Sequence, residues 1–274
     1  MKKKIALVAL AAVAVGAQAA DWSSNTVGYS RAMNVPEPGV SHKVDKNILN
    51  FTHASGDKLG SNFFSIDLLQ SASNDPANGT GSGGAQEWYG FYQRGFSLTK
   101  LTGKQQGFCY FKDISLTARI DAGAKNTQFA PAPFKLRPGV SFEMPVSAGF
   151  WNIGVDLYKE NNHQSFVAPY DVKFDTTLAL SSVWAVPVAG GTFGGFVSVV
   201  GPKGKDGFGE QTKTETWVRA SYLTKIGSPK SDLEAGVGIE YISNKFGCNN
   251  SLQTGAQVNS CTGYTPLLLV QYKL

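Results

Sequence analysis

Beyond its first two dozen residues the chain alternates apolar and polar side chains in stretches of about ten, the length of a tilted strand crossing a bilayer. Leu233, Ala235, Val237, Ile239 and Tyr241 form one apolar row, interleaved with Glu234, Gly236, Gly238, Glu240 and Ile242. Trp151, Ile153, Val155 and Leu157 form another, and Val218, Ala220 and Tyr222 a third, facing away from Arg219 and Ser221. A period of two puts each set on one face of a strand. Such regular apolar rows are longer than an ordinary soluble strand needs, and they suit a face that meets hydrocarbon. The pattern predicts an all-β fold, a transmembrane antiparallel up-and-down β-barrel.

The chain ends carry addresses. Lys2, Lys3 and Lys4 precede an apolar run from Ile5 to Val15, and Ala17-Gln18-Ala19 supplies small residues for cleavage. Residues 1–19 therefore read as a secretory signal and 20–274 as the barrel. Loss of the three lysines takes the formal charge from +5 to about +2, so no nucleic-acid partner is expected. Leu268, Val270, Tyr272 and Leu274 alternate with Leu269, Gln271 and Lys273. This last strand resembles the C-terminal signature of bacterial outer-membrane proteins. The expected location is the cell outer membrane, with its lipid and the barrel assembly machinery as partners. Thirty-one Gly, 17 Phe, 10 Tyr and only 16% charged residues suit a barrel that needs turns, aromatic girdles and a polar inner wall. No apolar run after the leader is long enough for a spanning helix. A soluble β-sandwich would carry fewer, shorter strands.

Alternation and turn signals together predict strands over 22–33, 44–54, 61–70, 87–98, 108–120, 134–145, 150–160, 172–186, 191–201, 213–225, 232–243 and 263–274, about twelve in all. An even number is what single-chain bacterial barrels have. Connections after odd-numbered strands are mostly the longer ones, and those at 55–60, 187–190 and 226–231 are tight. That rhythm places both termini in the periplasm and the long loops outside. In one long loop Gly79-Thr80-Gly81-Ser82-Gly83-Gly84 matches a dinucleotide fingerprint in letters, but an aromatic alternating strand follows where the motif needs a helix. It reads as a loop, and no cofactor is expected. Cys248 and Cys261 share the last long loop, where an oxidising compartment favours a disulfide; a metal is the alternative, but that loop holds no His. Cys109 stands alone in a predicted strand.

Strand parity names the inner wall. Phe63, Ser65 and Asp67 face inward, then Tyr89, Phe91 and Gln93, then Asp113, Ser115, Thr117 and Arg119. Later strands add Glu143, Asp156, Tyr158, Lys173, Asp175, Glu215, Arg219, Glu240 and Lys273. Aromatic faces beside charges of both signs suit a planar, polar, uncharged solute. The same charges can instead only neutralise one another and fill the bore.

Asn50-Phe51-Thr52-His53-Ala54-Ser55-Gly56, Gly60-Ser61-Asn62-Phe63-Phe64-Ser65-Ile66-Asp67 and Glu87-Trp88-Tyr89-Gly90, running into Ser97-Leu98-Thr99-Lys100, together resemble the Tsx-like nucleoside-specific channel family. Weaker matches are the strand from Trp22, Phe111-Lys112-Asp113, Gly139 to Glu143, and Asn244 to Gly247. The resemblance implies a barrel of about twelve strands in the outer membrane that passes nucleosides through weak successive sites. Phe63, Asp67, Tyr89, Phe111, Asp113 and Glu143 lie in matching segments, whereas Phe91, Tyr158 and Arg219 rest on strand parity.

Two other classes compete. One is a structural or receptor barrel whose long loops bind outside while the bore stays shut. The other is an outer-membrane phospholipase, since His53-Ala54-Ser55 and His163-Gln164-Ser165 both have the His-x-Ser lettering. His163 falls in a predicted loop, and His53 belongs to the channel-like segment. The chain is therefore read as a channel for small polar solutes, not an enzyme, with no catalytic or metal-binding residue assigned.

Overall fold

The computed structural model describes residues 20–78, 83–108, 110–249 and 260–274. The leader, the tip of the glycine-rich loop and Cys109 lie outside the described residues. Twelve strands form the barrel: β1 (Trp22–Val35), β2 (Val44–Asp57), β3 (Gly60–Ser71), β4 (Gln86–Ser97), β5 (Asp113–Lys125), β6 (Phe134–Glu143), β7 (Phe150–His163), β9 (Thr177–Val188), β10 (Gly191–Val200), β11 (Glu215–Lys225), β12 (Leu233–Ser243) and β13 (Gly263–Lys273). A short β8 (Asp171–Lys173) pairs with the end of β7. Each barrel strand runs antiparallel to its sequence neighbour, and β1 pairs with β13, so the sheet closes without a free edge. This is the predicted all-β barrel.

Burial follows the alternation. On β12, Val237 is 60% exposed while Ile242, on the opposite face, is 1% exposed. Leu116, Leu136, Leu157, Leu180, Ile239 and Leu268 are likewise exposed. Such a belt would be a liability in water and is the expected surface of a barrel set in hydrocarbon. Outward aromatics gather at two levels. Trp88, Phe134 and the contacting pair Tyr241 and Tyr264, 4.8 Å apart, stand near the long loops. Phe96, Trp151, Tyr272 and the pair Trp184 and Phe193, 5.9 Å apart, stand near the short turns. These are the two girdles of a membrane barrel. Inside, Ala32, Val35, Ile48 and Leu267 pack into a small apolar cluster.

The hairpin turns explain the register. Ala189 and Gly190 both have positive φ, 47° and 82°, the twist that a two-residue hairpin between β9 and β10 requires. Asp57 accepts the backbone N–H groups of Leu59 and Gly60 at 2.9 and 3.0 Å and so shapes the turn from β2 to β3.

Two predicted strands are corrected. β5 begins at Asp113 rather than residue 108, because Leu98–Thr102 forms a helical turn, α1. Ser97 caps its first turn, and Gly103, at φ 66°, returns its N–H to Thr99. That segment makes the connection after β4 a long one, against the rhythm of the others. The predicted strand 172–186 is broken. Phe174 and Asp175 turn away to give their backbone N–H groups to the carbonyls of Glu160 and Lys203, and β9 starts only at Thr177. Lys173 and Asp175 are thus exposed on the loop side of the barrel and leave the inner wall.

Candidate functional site

The candidate site is the bore. At mid-height the Arg119 guanidinium lies 3.6 Å from the centre of the Phe91 ring, and Phe63 stacks on Phe91 at 5.5 Å. Phe63 is 37% exposed, so it presents an open aromatic face. Arg119 also holds Asp121 at 2.7 and 2.8 Å, and Asp121 accepts the Tyr89 hydroxyl at 2.6 Å. Lys135 donates to that hydroxyl at 3.2 Å. A second arginine–aromatic platform stands on β10 and β11. Arg219 lies 5.4 Å from the Phe196 ring and bonds Glu240 at 2.7 Å, and Trp217 meets Phe196 edge-on at 5.7 Å. The register puts Phe196 directly across from Arg219.

Above the Arg119 platform the wall is filled. Arg137 pairs with Asp156 at 2.7 Å, and Gly139 makes room for that carboxylate, since a Cβ there would stand 2.2 Å from Asp156 Oδ1. Tyr158 donates to Glu160 at 2.6 Å, and Glu160 also takes the ammonium of Lys203 from the loop between β10 and β11. Arg137 with Asp156 and Lys203 with Glu160 each find an opposite charge, the condition under which burial is tolerable.

At the long-loop end of the bore a loop carboxylate is buried among lysines. Glu37, from the connection between β1 and β2, meets Lys46 at 2.5 Å, Lys245 at 2.8 Å and Lys125 at 3.1 Å. Lys46 continues to Glu87 at 2.8 Å and Lys125 to Asp75 at 2.7 Å. Burial pushes the Glu37 carboxyl up, but Lys245, Lys46 and Lys125 together hold it well below the usual carboxylate range. Lys245 sits in a short 3-10 turn just before Cys248, and Cys248 and Cys261 are disulfide-bonded with Cα atoms 6.1 Å apart.

Of the residues expected on the wall, Phe63, Phe91, Arg119 and Tyr89 come together in one cluster. Asp67 stands apart with Asn50 at 2.5 Å. Asp156 and Tyr158 line the upper wall, but Tyr158 is 3% exposed and packs on Ala179 and Val200, so it offers no open stacking face. Arg219 belongs to the second platform. Asp113, tied to Ser97 and Thr99, and Glu143, 3.4 Å from Lys112, sit at the end of the bore opposite the Glu37 cluster. Lys135, Arg137, Phe196 and Trp217 were not singled out in the sequence; Lys135, Arg137 and Trp217 share the parity of Glu143 on β6 and of Glu215 and Arg219 on β11, and Phe196 is placed only by the pairing of β10 with Arg219. Glu37, Lys203 and Lys245 had no such signal, since loops carry no period. Among the described residues no group of His, Cys, Asp and Glu is arranged to hold a metal ion.

No family model matches the chain, and no curated protein matches it. Solved structures do. The KdgM porin is 10% identical with a TM-score of 0.44, covering 90% of this chain and 98% of that one. The translocator domain of the autotransporter NalP from Neisseria meningitidis is 10% identical with a TM-score of 0.42, covering 99% and 95%. OccK5 (OpdH) of Pseudomonas aeruginosa is 12% identical with a TM-score of 0.29, covering 92% and 98%. At these identities and scores, nothing about the use of the bore follows from them.

Proposed function

We propose that the protein is an outer-membrane channel for the passive uptake of small polar solutes, with nucleosides as the preferred class. The observation that carries this reading is the stack of Phe63, Phe91 and Arg119, whose outermost ring faces open bore. A nucleobase gains from an aromatic face and its sugar from neighbouring hydrogen-bonding groups, and each such stack is worth about 1–3 kcal/mol, enough to select without trapping. The resemblance of Asn50 to Gly56, Gly60 to Asp67 and Glu87 to Gly90 to the Tsx-like channels supports the same solute class. On this reading the barrel assembly machinery inserts the chain, and outer-membrane lipid surrounds it.

A second reading has its own support. The buried cluster of Glu37 with Lys46, Lys125 and Lys245 suits a receptor or structural barrel with a shut mouth. Single-channel current of the refolded mature protein in a planar bilayer separates the two. Conductance that nucleosides reduce saturably, and sugars of similar size do not, supports the selective channel. An open pore indifferent to nucleosides leaves general diffusion, and no current supports the closed barrel.

A further inference from the structure

Of the two His-x-Ser segments, only one brings its residues into contact. His163 Nδ1 pairs with Asp171 at 2.9 Å and leaves Ser165 aside. His53 instead has Ser55 Oγ at 3.1 Å from its Nε2 and Asn25 Oδ1 at 2.8 Å from its Nδ1. Asn25 Oδ1 can only accept, so Nδ1 carries the ring proton and Nε2 is left to accept from the Ser55 hydroxyl. A nucleophile, a base in the right tautomer and an amide that orients the base are the parts of a hydrolytic serine triad.

The surroundings specify the substrate. Asn25 on β1 and His53 and Ser55 on β2 have the parity of the outward row, beside Phe51 and opposite Phe64, whose rings are 6.3 Å apart. Ser55 lies near the end of β2, just before the short turn to β3, and therefore at the periplasmic edge of the apolar belt. Polar groups cost little at that level, where the glycerol esters of phospholipids lie. Asn62 donates to Ser55 Oγ at 3.4 Å, and its own Oδ1 accepts the Tyr92 hydroxyl at 2.6 Å, which fixes the amide with its N–H groups toward the serine. A preset donor beside the nucleophile is what a developing oxyanion needs.

We propose that Asn25, His53 and Ser55 form an acyl-ester hydrolase site on the lipid-facing rim of the barrel, acting on phospholipids of the periplasmic leaflet. Ser55 Oγ bonds to the ester carbonyl carbon as its proton passes to His53 Nε2. The carbon–oxygen bond to the glycerol oxygen then breaks, and that oxygen takes the proton from Nε2 to leave as lysophospholipid. Water attacks the acyl-serine, gives its proton to Nε2, and releases the fatty acid as Ser55 Oγ recovers a proton. Asn25 is a positioning residue that acts through His53.

Ser55 is only 5% exposed, so the test uses a small probe. The refolded mature protein in detergent is treated with a short-chain fluorophosphonate, and the modified residue is mapped by mass spectrometry; heat-modifiable mobility certifies each folded barrel. Labelling of Ser55 that disappears in His53→Ala is expected, together with lysophospholipid release in phosphatidylethanolamine vesicles that Ser55→Ala loses. Asn25→Ala should slow both by about tenfold or more, and Asn25→Asp should restore them in part, which a merely structural role would not produce. An unlabelled Ser55 in the folded wild type overturns the site, and labelling without lysophospholipid release overturns the substrate. Neither readout uses conductance, so the channel reading stands or falls separately.

Discussion

At the long-loop end of the bore the side chains of Glu37, Lys46, Lys125 and Lys245 are each less than a tenth exposed, whereas at the opposite end those of Glu143 and Lys273 are 45% and 43% exposed. The upper charges are locked in a network that a loop carboxylate completes, while the lower ones stand in separate pairs with at least one partner open to water, Glu143 with Lys112 and Lys273 with the buried Glu234. Buried pairs resist the loss of one partner because the other is stranded, and exposed pairs hardly notice it. The tightly buried charges therefore gather in the half nearer the long loops, and the platform of Phe63, Phe91 and Arg119 lies below them.

The largest effect is expected where the network is most buried. Glu37→Ala removes the carboxylate that three lysines share, leaving Lys46 with Glu87, Lys125 with Asp75 and Lys245 without its carboxylate, and should cost about 3–5 kcal/mol, read as a lower urea midpoint in vesicles, while raising single-channel conductance as the mouth loosens. An unchanged conductance would mean that Glu37 does not narrow the path. The same residue predicts the response to acid. Its folded pKa lies below that of an unfolded carboxylate, so its contribution is complete above the ordinary carboxylate range and is lost only as pH falls through the depressed value. Conductance should be flat from pH 7 to about pH 5 and rise only in stronger acid. A rise near neutrality would assign the gate to another group.

Val237→Arg moves the comparison to the outer surface. An arginine on this exposed position of the apolar belt should cost roughly 2–4 kcal/mol if it lies near the midplane, seen as a smaller folded fraction in vesicles. Normal insertion would place Val237 at an interface. Phe91→Ala tests the platform below the locked half. Removing one stacking face should weaken nucleoside block by roughly 1–3 kcal/mol, about five- to 150-fold in apparent affinity, with the barrel still folded. Equal block in wild type and variant would remove Phe91 from the solute path.

The contrast between the two ends also separates what the sequence revealed from what it did not. Val237 and Ile242 fall on opposite faces because the pleat has a period of two, and that period is written in the residues of β12. Phe63, Phe91 and Arg119 could be placed on the inner wall by the same rule, and their adjacency follows once β3, β4 and β5 pair in order. Tyr158 was on the correct face yet is closed off, since its depth is set by Ala179 and Val200 on other strands. Lys173 and Asp175 were misplaced because a loop–loop contact to the Lys203 carbonyl ended the strand early. Glu37, Lys203 and Lys245 fold in from loops, where no period says which way a side chain turns. The upper half of the bore was therefore the less legible half.

The smallest effect should come from the rim opposite the Glu37 cluster. Glu143 and Lys112 are 3.4 Å apart with side chains 45% and 50% exposed, so water and salt share the stabilisation of both charges. Lys112→Ala should change the urea midpoint by no more than about 1 kcal/mol and leave nucleoside block unaltered. Its clearest mark should be on ion selectivity, because removing the cation frees Glu143 to attract cations into the vestibule, an effect that fades as salt is raised. A loss of stability as large as that of Glu37→Ala would show that the lower end is also locked and that the two ends do not differ. A selectivity shift that persists at high salt would place Glu143 in a narrow, poorly hydrated passage and move the constriction to the bottom of the bore.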